Sequence, residues 1–305
     1  MSPILGSSAG AASYGKRPAA AIELTSEGVI AAALPSKHED PVFAFEPLRP
    51  GILVPGISEL NMTSPEAVSL AIRNALTAVS PNTRFATVVI PDTAVRVFVL
   101  DFDTLPARAS EAIPVLRFRL RKMVPFDVEH AGLSYQVLTQ TKTEARVLVA
   151  VLPSNILEEY ETVVRGAGYE PGAVMPSALA ALATLESDEP LLAAVLSKVA
   201  ITTSITKGDD LLLYRTLDLP EDPGQRLLEV QRSVAVAAAY YEDKVSVLPR
   251  ELYFAGNGTA AEFERWFGTS ELEIIDLAPR PSTGAATSLS NMSIAGLSGA
   301  LAGAA

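Results

Sequence analysis

Val88-Val89-Ile90-Pro91-Asp92, a second apolar run at residues 95–101, then Lys122-Met123-Val124-Pro125-Phe126-Asp127 and Ser134-Tyr135-Gln136-Val137-Leu138 decide the fold of this 305-residue chain. The first run is β-branched and closes on Pro-Asp, so it predicts a strand at 85–90 ended by a turn. Residues 95–101 predict the next strand. Residues 106–123 carry helical spacing, with Ile113, Leu116, Leu120 and Met123 on one face and Arg117, Arg119, Arg121 and Lys122 mostly facing away. Pro114 inside this stretch is expected to kink or restart the helix. Strands at 133–138 and 146–152 follow, then a helix with Ser154 as N-cap, ending at 166–168.

Upstream, residues 19–34 read as two short strands around Ser26-Glu27-Gly28. A proline-rich excursion at 35–55 carries one short strand at 42–45. Ser64 as N-cap and Pro65 at the first helical position open a helix that runs to 79. Downstream, a helix is expected at 176–185, and the pattern resets at 187–190, which predicts the domain boundary. Residues 191–205 and 211–217 read as a hairpin around Lys207-Gly208-Asp209-Asp210. A long helix at 224–241, a strand at 251–254, a turn at Gly256-Asn257-Gly258, a helix at 260–267 and a strand at 272–276 complete the pattern. Hairpins alternating with helices, twice over, predict an α/β chain of two related lobes.

Composition narrows the function. The 35 acidic residues against 24 Lys and Arg give a net charge of −11, the opposite of a nucleic-acid-binding footprint. There is no cysteine, so disulfides and thiolate metal sites are excluded. His38 and His130 lack metal-ligand spacing. Asp101-Phe102-Asp103 and Asp209-Asp210 are paired acids at turns, where solvation explains them. No Walker loop and no Gly-x-Ser-x-Gly elbow is present. Residues 1–18 lack the basic start and apolar run of a signal peptide and are expected to be a disordered leader. The apolar stretch 291–305 is shorter than the about 20 residues a bilayer requires and is expected to form a packed terminal helix.

The block from 88 to 138 resembles PilM, the actin-like family of type IV pilus assembly, whose members share the Pro-Asp strand end, the Pro-Phe-Asp turn and the Tyr-Gln strand in this order. Gly166-Ala167-Gly168-Tyr169-Glu170-Pro171 is similar to the family's return to its first lobe, and Leu213-Tyr214-Arg215-Thr216-Leu217 to the end of the second-lobe hairpin. Arg232-Ser233 resembles the Arg-Ser of the family's following helix. The resemblance implies an actin-like, ribonuclease H-like, two-lobed fold with the inserted subdomain that also marks FtsA. It implies a first lobe at 19–84 and 167–187, an insert at 85–166, a second lobe at 188–280, and a linker with a C-terminal helix at 281–305. Only residues 218–223 stand where PilM places a fourth subdomain (2B), so that subdomain is expected to be absent.

Actin-like ATPases hold Mg-ATP between two hairpins that each offer Asp, Gly and then Ser or Thr. Here the resemblance aligns Glu23 with the first Asp, Thr25 with the Gly, and Ser26 and Glu27 with the phosphate position. Glu27 opposes an anion. The second hairpin aligns Val195-Leu196-Ser197-Lys198-Val199 and contains neither Asp nor Gly. Gly256 and Gly258 stand at the family's adenosine-side turn, or form a tight strand-to-helix turn. A degenerate ATP site is expected, with no cofactor and no hydrolysis.

The resemblance implies a non-catalytic cytoplasmic scaffold, peripheral to the inner membrane, for a type IV pilus or type II secretion-like platform. The implied partner is the cytoplasmic tail of a PilN-like single-span membrane protein, held between the first lobe and the insert. Pro91, Arg119, Pro125 and Phe126 are the candidate contacts. Two alternatives stay open: an ATP-binding, PilM-type switch that uses Mg-ATP, and a self-associating structural protein. The basic face at 117–122 reads as a solvated helix face, or as a contact for anionic lipid or an acidic partner.

Overall fold

The structure, a computed structural model, describes residues 17–36, 40–268, 270–278, 289, 291–302 and 304. Nearly all of the expected leader, His38 and most of the linker after 280 lie outside the described residues. Strands β1 (Ala20–Thr25), β2 (Gly28–Ala33) and β3 (Val42–Pro47) form an antiparallel meander. Helix α1 (Pro65–Val79) crosses back, and β4 (Phe85–Ile90) then pairs parallel to β1. The chain next builds a separate antiparallel sheet from β5 (Arg96–Phe102), β6 (Gly132–Gln140) and β7 (Ala145–Leu152), with β7 central and α2 (Ala109–Leu120) between β5 and β6 in sequence. Helix α3 (Ser154–Gly166) returns it to β8 (Glu170–Pro176), which pairs parallel to β4. Helix α4 (Ser177–Ala181) follows.

The second lobe repeats the first. Strands β9 (Leu191–Leu196), β10 (Ala200–Lys207) and β11 (Asp210–Asp218) form a meander, and α5 (Pro223–Val245) leads to β12 (Glu251–Gly256), parallel to β9. Helix α6 (Ala260–Phe267) and β13 (Glu273–Asp276) complete it. The strand orders are β3-β2-β1-β4-β8 and β11-β10-β9-β12-β13, the same topology twice. Helix α7 (Ala295–Ala302) ends the chain on the first lobe.

Period-2 alternation places these layers. Ala20, Ile22 and Leu24 of β1 pack with Val68, Ile72 and Leu76 of α1, whereas Ala21 of β1, Ile30 of β2 and Val89 of β4 pack with Leu297, Ala300 and Leu301 of α7. Both faces of the sheet are therefore covered, which is why β1 and β2 read as nearly unbroken apolar runs. Among the described residues no helix is long and apolar enough to cross a membrane.

The structure corrects several expectations. The insert is narrower than 85–166, because β4 sits inside the first sheet and α3 packs on α1, where Ser69 Oγ donates to the Val163 carbonyl at 3.0 Å. The separate sheet spans 96–152. Residues 191–205 are two strands, not one, since Ser197 starts a turn that an alternating run of apolar residues conceals. Helix α2 runs through Pro114 without restarting. Pro153, not Ser154, is the N-cap of α3, and the Ser154 hydroxyl instead donates to the His130 carbonyl. Only residues 219–222 separate β11 from α5, so no fourth subdomain is inserted there.

Helix α7 lies so close to α4 that a Cβ on Gly299 would stand 1.8 Å from the Ala180 carbonyl oxygen. Arg17 fixes the same turn by donating to the Gly299 carbonyl at 2.9 Å. Gly299→Ala should therefore destabilise the protein by about 1–3 kcal/mol through overpacking, measured as a lower midpoint in chemical denaturation. An unchanged midpoint would mean that α7 is not seated this way.

Candidate functional site

The β1–β2 turn and the β9–β10 turn face each other across the cleft between the lobes. Between them lies a cavity of about 70 Å³, lined by Glu23, Thr25, Ser26, Glu27, Pro91, Asp92, Ser177, Lys198 and Asn257 among others. Cavities of about 410 Å³ and about 880 Å³ share Glu27 and Asn257 with it on the second-lobe side. At the mouth, Asn257 Nδ2 of the second lobe donates to Glu27 of the first at 2.9 Å.

Each turn closes on its own hydroxyl. Thr25 Oγ1 accepts from the backbone N–H groups of Glu27 at 3.2 Å and Gly28 at 3.1 Å. Ser197 Oγ accepts from those of Val199 at 3.3 Å and Ala200 at 3.0 Å. Arg226 of α5 then takes up the carbonyls of Ser197, at 2.7 Å, and Lys198. Several backbone donors that could have cradled an anion are thus used inside the hairpins.

The glycines have structural reasons. A Cβ on Gly28 would meet the Glu46 carbonyl oxygen at 2.4 Å, and one on Gly256 would meet Phe254 Cζ at 2.6 Å. Gly258 has φ +86°, a left-handed turn that favours glycine. It leads straight into α6, whose Thr259 and Glu262 form a capping box.

Below the turns sits a buried acid pair. The Ser177 hydroxyl donates to Glu23 Oε1, while Glu23 Oε2 has no hydrogen-bond partner among the described residues. That oxygen lies against α7, 2.8 Å from where a Cβ on Gly296 would be. Asp92 accepts from the Tyr214 hydroxyl of β11 at 2.9 Å and from the Ala178 N–H at the start of α4 at 3.1 Å. Burial pushes the Glu23 carboxyl up to about 7, with Asp92's charge adding and the Ser177 hydrogen bond opposing. Burial also pushes Asp92 up to about 6, against the bonds from Tyr214 and Ala178. Tyr214 is raised well above its ordinary value, by burial first and then by Asp92, and stays a neutral donor.

Sequence reading places Glu23, Thr25, Ser26, Gly256 and Gly258 at this cleft; the first three line the cavity, Gly258 lines the neighbouring cavity with Glu27 and Asn257, and Gly256 lines a third small cavity beside Phe254. It missed Asp92, Ser177 and Tyr214. The available signal was Asp92 itself, an acid at the carboxyl end of a buried parallel strand, where α/β sheets place their ligands. The four partner candidates divide. Pro91 lines the interlobe cavity. Arg119 and Pro125 are exposed on the insert, and Phe126 packs against the insert core beside Phe98, Leu133 and Tyr135.

The acid pair fixes a pH dependence. The ordinary carboxyl values are 4.5 for Glu23 and 3.8 for Asp92, so the unfolded chain ionises first and the folded state holds the protons longer. This contribution to stability is complete below those values and is lost as pH rises through about 6 and 7. Glu23→Gln should flatten that fall and raise stability near pH 8 by about 1–3 kcal/mol, read from denaturant curves at acid and alkaline pH. A variant no more stable than the parent at alkaline pH would contradict the buried carboxyl.

No described protein family matches the sequence, and no curated protein matches it. Solved structures do match. The PilM-PilN type IV pilus biogenesis complex aligns with 95% of this chain and 100% of its own, at 19% identity and a TM-score of 0.75. The cytoplasmic domain of EpsL, an inner-membrane component of the type II secretion system of Vibrio cholerae, aligns over 86% of this chain and 89% of its own, at 11% identity and a TM-score of 0.50. A protein of unknown function with an actin-like ATPase fold from Bacteroides thetaiotaomicron aligns over 94% and 96%, at 12% identity and a TM-score of 0.50. The chain has the two-lobed actin-like fold, with the arrangement found in PilM.

Proposed function

We propose that this chain is a non-catalytic scaffold of a type IV pilus or type II secretion-like assembly platform, peripheral to the inner membrane. Its partner is the cytoplasmic tail of a PilN-like membrane protein. The observation that carries the non-catalytic part is the state of the two turns, whose backbone donors are taken up by Thr25 and Ser197 beside two buried carboxylic acids. Phosphoryl transfer needs donors and cations positioned on the developing charge. Here the turn hydroxyls occupy backbone donors, and Glu27 and Asn257 bridge the mouth. The likeness to the PilM-PilN structure supports the scaffold and partner parts.

Mg-ATP at millimolar concentration should leave the melting temperature unchanged, whereas a ligand at a hundred times its Kd would stabilise by about 2.7 kcal/mol. A clear shift, lost in Ser26→Asp, would replace this reading with the ATP-dependent switch.

The tail-binding part is tested separately by titrating a PilN-like tail peptide in solution. Arg119→Glu should weaken capture about tenfold, roughly 1.4 kcal/mol. Phe126 is a poorer probe, because its packing against the insert core ties it to folding. Failure of the unmutated protein to bind any such tail would remove the partner from the proposal.

A further inference from the structure

Helix α2 has two sides. Ala112, Leu116 and Leu120 are buried in the core of the insert. Val115, Phe118 and Arg119 stand at the i, i+3, i+4 spacing of one helix face, Lys122 follows in the turn just past the helix end, and all four are exposed. Phe118 is 73% exposed, more than any other large apolar side chain among the described residues, and Val115 is 37% exposed. The cations nearby differ in their engagement. Arg117 donates to the Ala131 carbonyl at 3.1 Å, Arg121 pairs with Glu129 at 2.6 Å, and Arg108 pairs with Glu111 at 3.7 Å. Arg119 and Lys122 have no ion pair or hydrogen bond among the described residues. Between residues 108 and 130 five Lys and Arg stand against three acids, in a chain whose net charge is −11.

We infer that this face of α2 and the turn after it dock on an anionic membrane surface, with Phe118 and Val115 entering the headgroup layer and Arg119 and Lys122 meeting lipid phosphates. Exposed aromatic and basic side chains sharing one helix face are the chemistry of interfacial helices. A folded protein partner is disfavoured by size: two projecting apolar side chains cover far less than the about 1,200–2,000 Å² of a stable protein interface. The acidic remainder of the molecule is repelled by the same surface, so contact is weak, reversible, salt-sensitive and oriented, with the insert toward the lipid. The inference deepens the membrane-peripheral part of the proposed function and rests on it. Arg119 is the one residue it shares with the proposed tail site, so the test leaves Arg119 unchanged.

The test is flotation of the full chain, without any tail peptide, on vesicles of phosphatidylglycerol mixed with phosphatidylcholine and on vesicles of phosphatidylcholine alone. The bound fraction should be at least about fivefold higher on the anionic vesicles and should fall as salt is raised. Phe118→Ser combined with Lys122→Glu should weaken binding about tenfold while leaving the melting curve unchanged, since both side chains are exposed. Lys142→Glu, an exposed position in the β6–β7 turn, makes the same change of net charge and should leave binding as it was. Equal binding to both vesicle types, no binding, or an equal loss with Lys142→Glu would overturn the inference. So would capture of poly-glutamate through Phe118 and Lys122 without vesicle binding, which would assign the ridge to an acidic protein segment. Tail capture in solution would be untouched by any of these results, so the two readings fail separately.

Discussion

The carboxyl group of Asp92 joins the two lobes. It stands at the carboxyl end of β4, caps the start of α4 through the Ala178 N–H, and receives the Tyr214 hydroxyl from the far lobe. Burying a carboxyl without such donors would be costly, and each of these groups is buried in turn. The position of Tyr214 therefore depends on Asp92 as much as Asp92 depends on it. Around this joint a single apolar core runs from α1 and β1 through Leu179 to Ala193, Val195 and Ala255 of the second lobe.

The two hairpins that flank the joint solve one problem twice. A tight turn has backbone N–H groups to satisfy. Thr25 and Ser197 supply the acceptor, each for two N–H groups of its own turn. The repeat of the whole sheet topology makes this parallel solution possible, since β1–β2 and β9–β10 hold equivalent places in their sheets. The unpaired Oε2 of Glu23 lies against α7 in the space beneath the first turn.

The insert is built on different terms from the lobes. Its sheet is small, its core rests on α2 packed against alternate residues of β5 and β7, and the outer face of α2 is covered by nothing described. Arg146 of β7 ties it to the second lobe by ion pairs to Asp210 and, within the insert, to Asp101, both at 3.1 Å. The insert is thus tied to the second lobe while the outer face of α2 stays exposed.

The sequence by itself determined the α/β class, nearly all the elements, the repetition of the lobes and the absence of an insertion between β11 and α5. These follow from local properties: period-2 and period-3.6 alternation, turn residues and chain length between elements. That residues 191–204 hold neither Asp nor Gly is likewise a matter of residue type. The split of residues 191–205 was not legible, since Ser197 and Lys198 interrupt the apolar run too briefly to mark a turn. Only the tertiary structure decided the rest. It placed β4 inside the first sheet, packed Phe126, partly buried, against the core of the insert, and turned Asp92 from a turn acid into the joint between the lobes. Those outcomes depend on which strands pair and which side chains meet across more than eighty residues of sequence, as with Asp92, Ala178 and Tyr214. No local pattern encodes a contact at that separation.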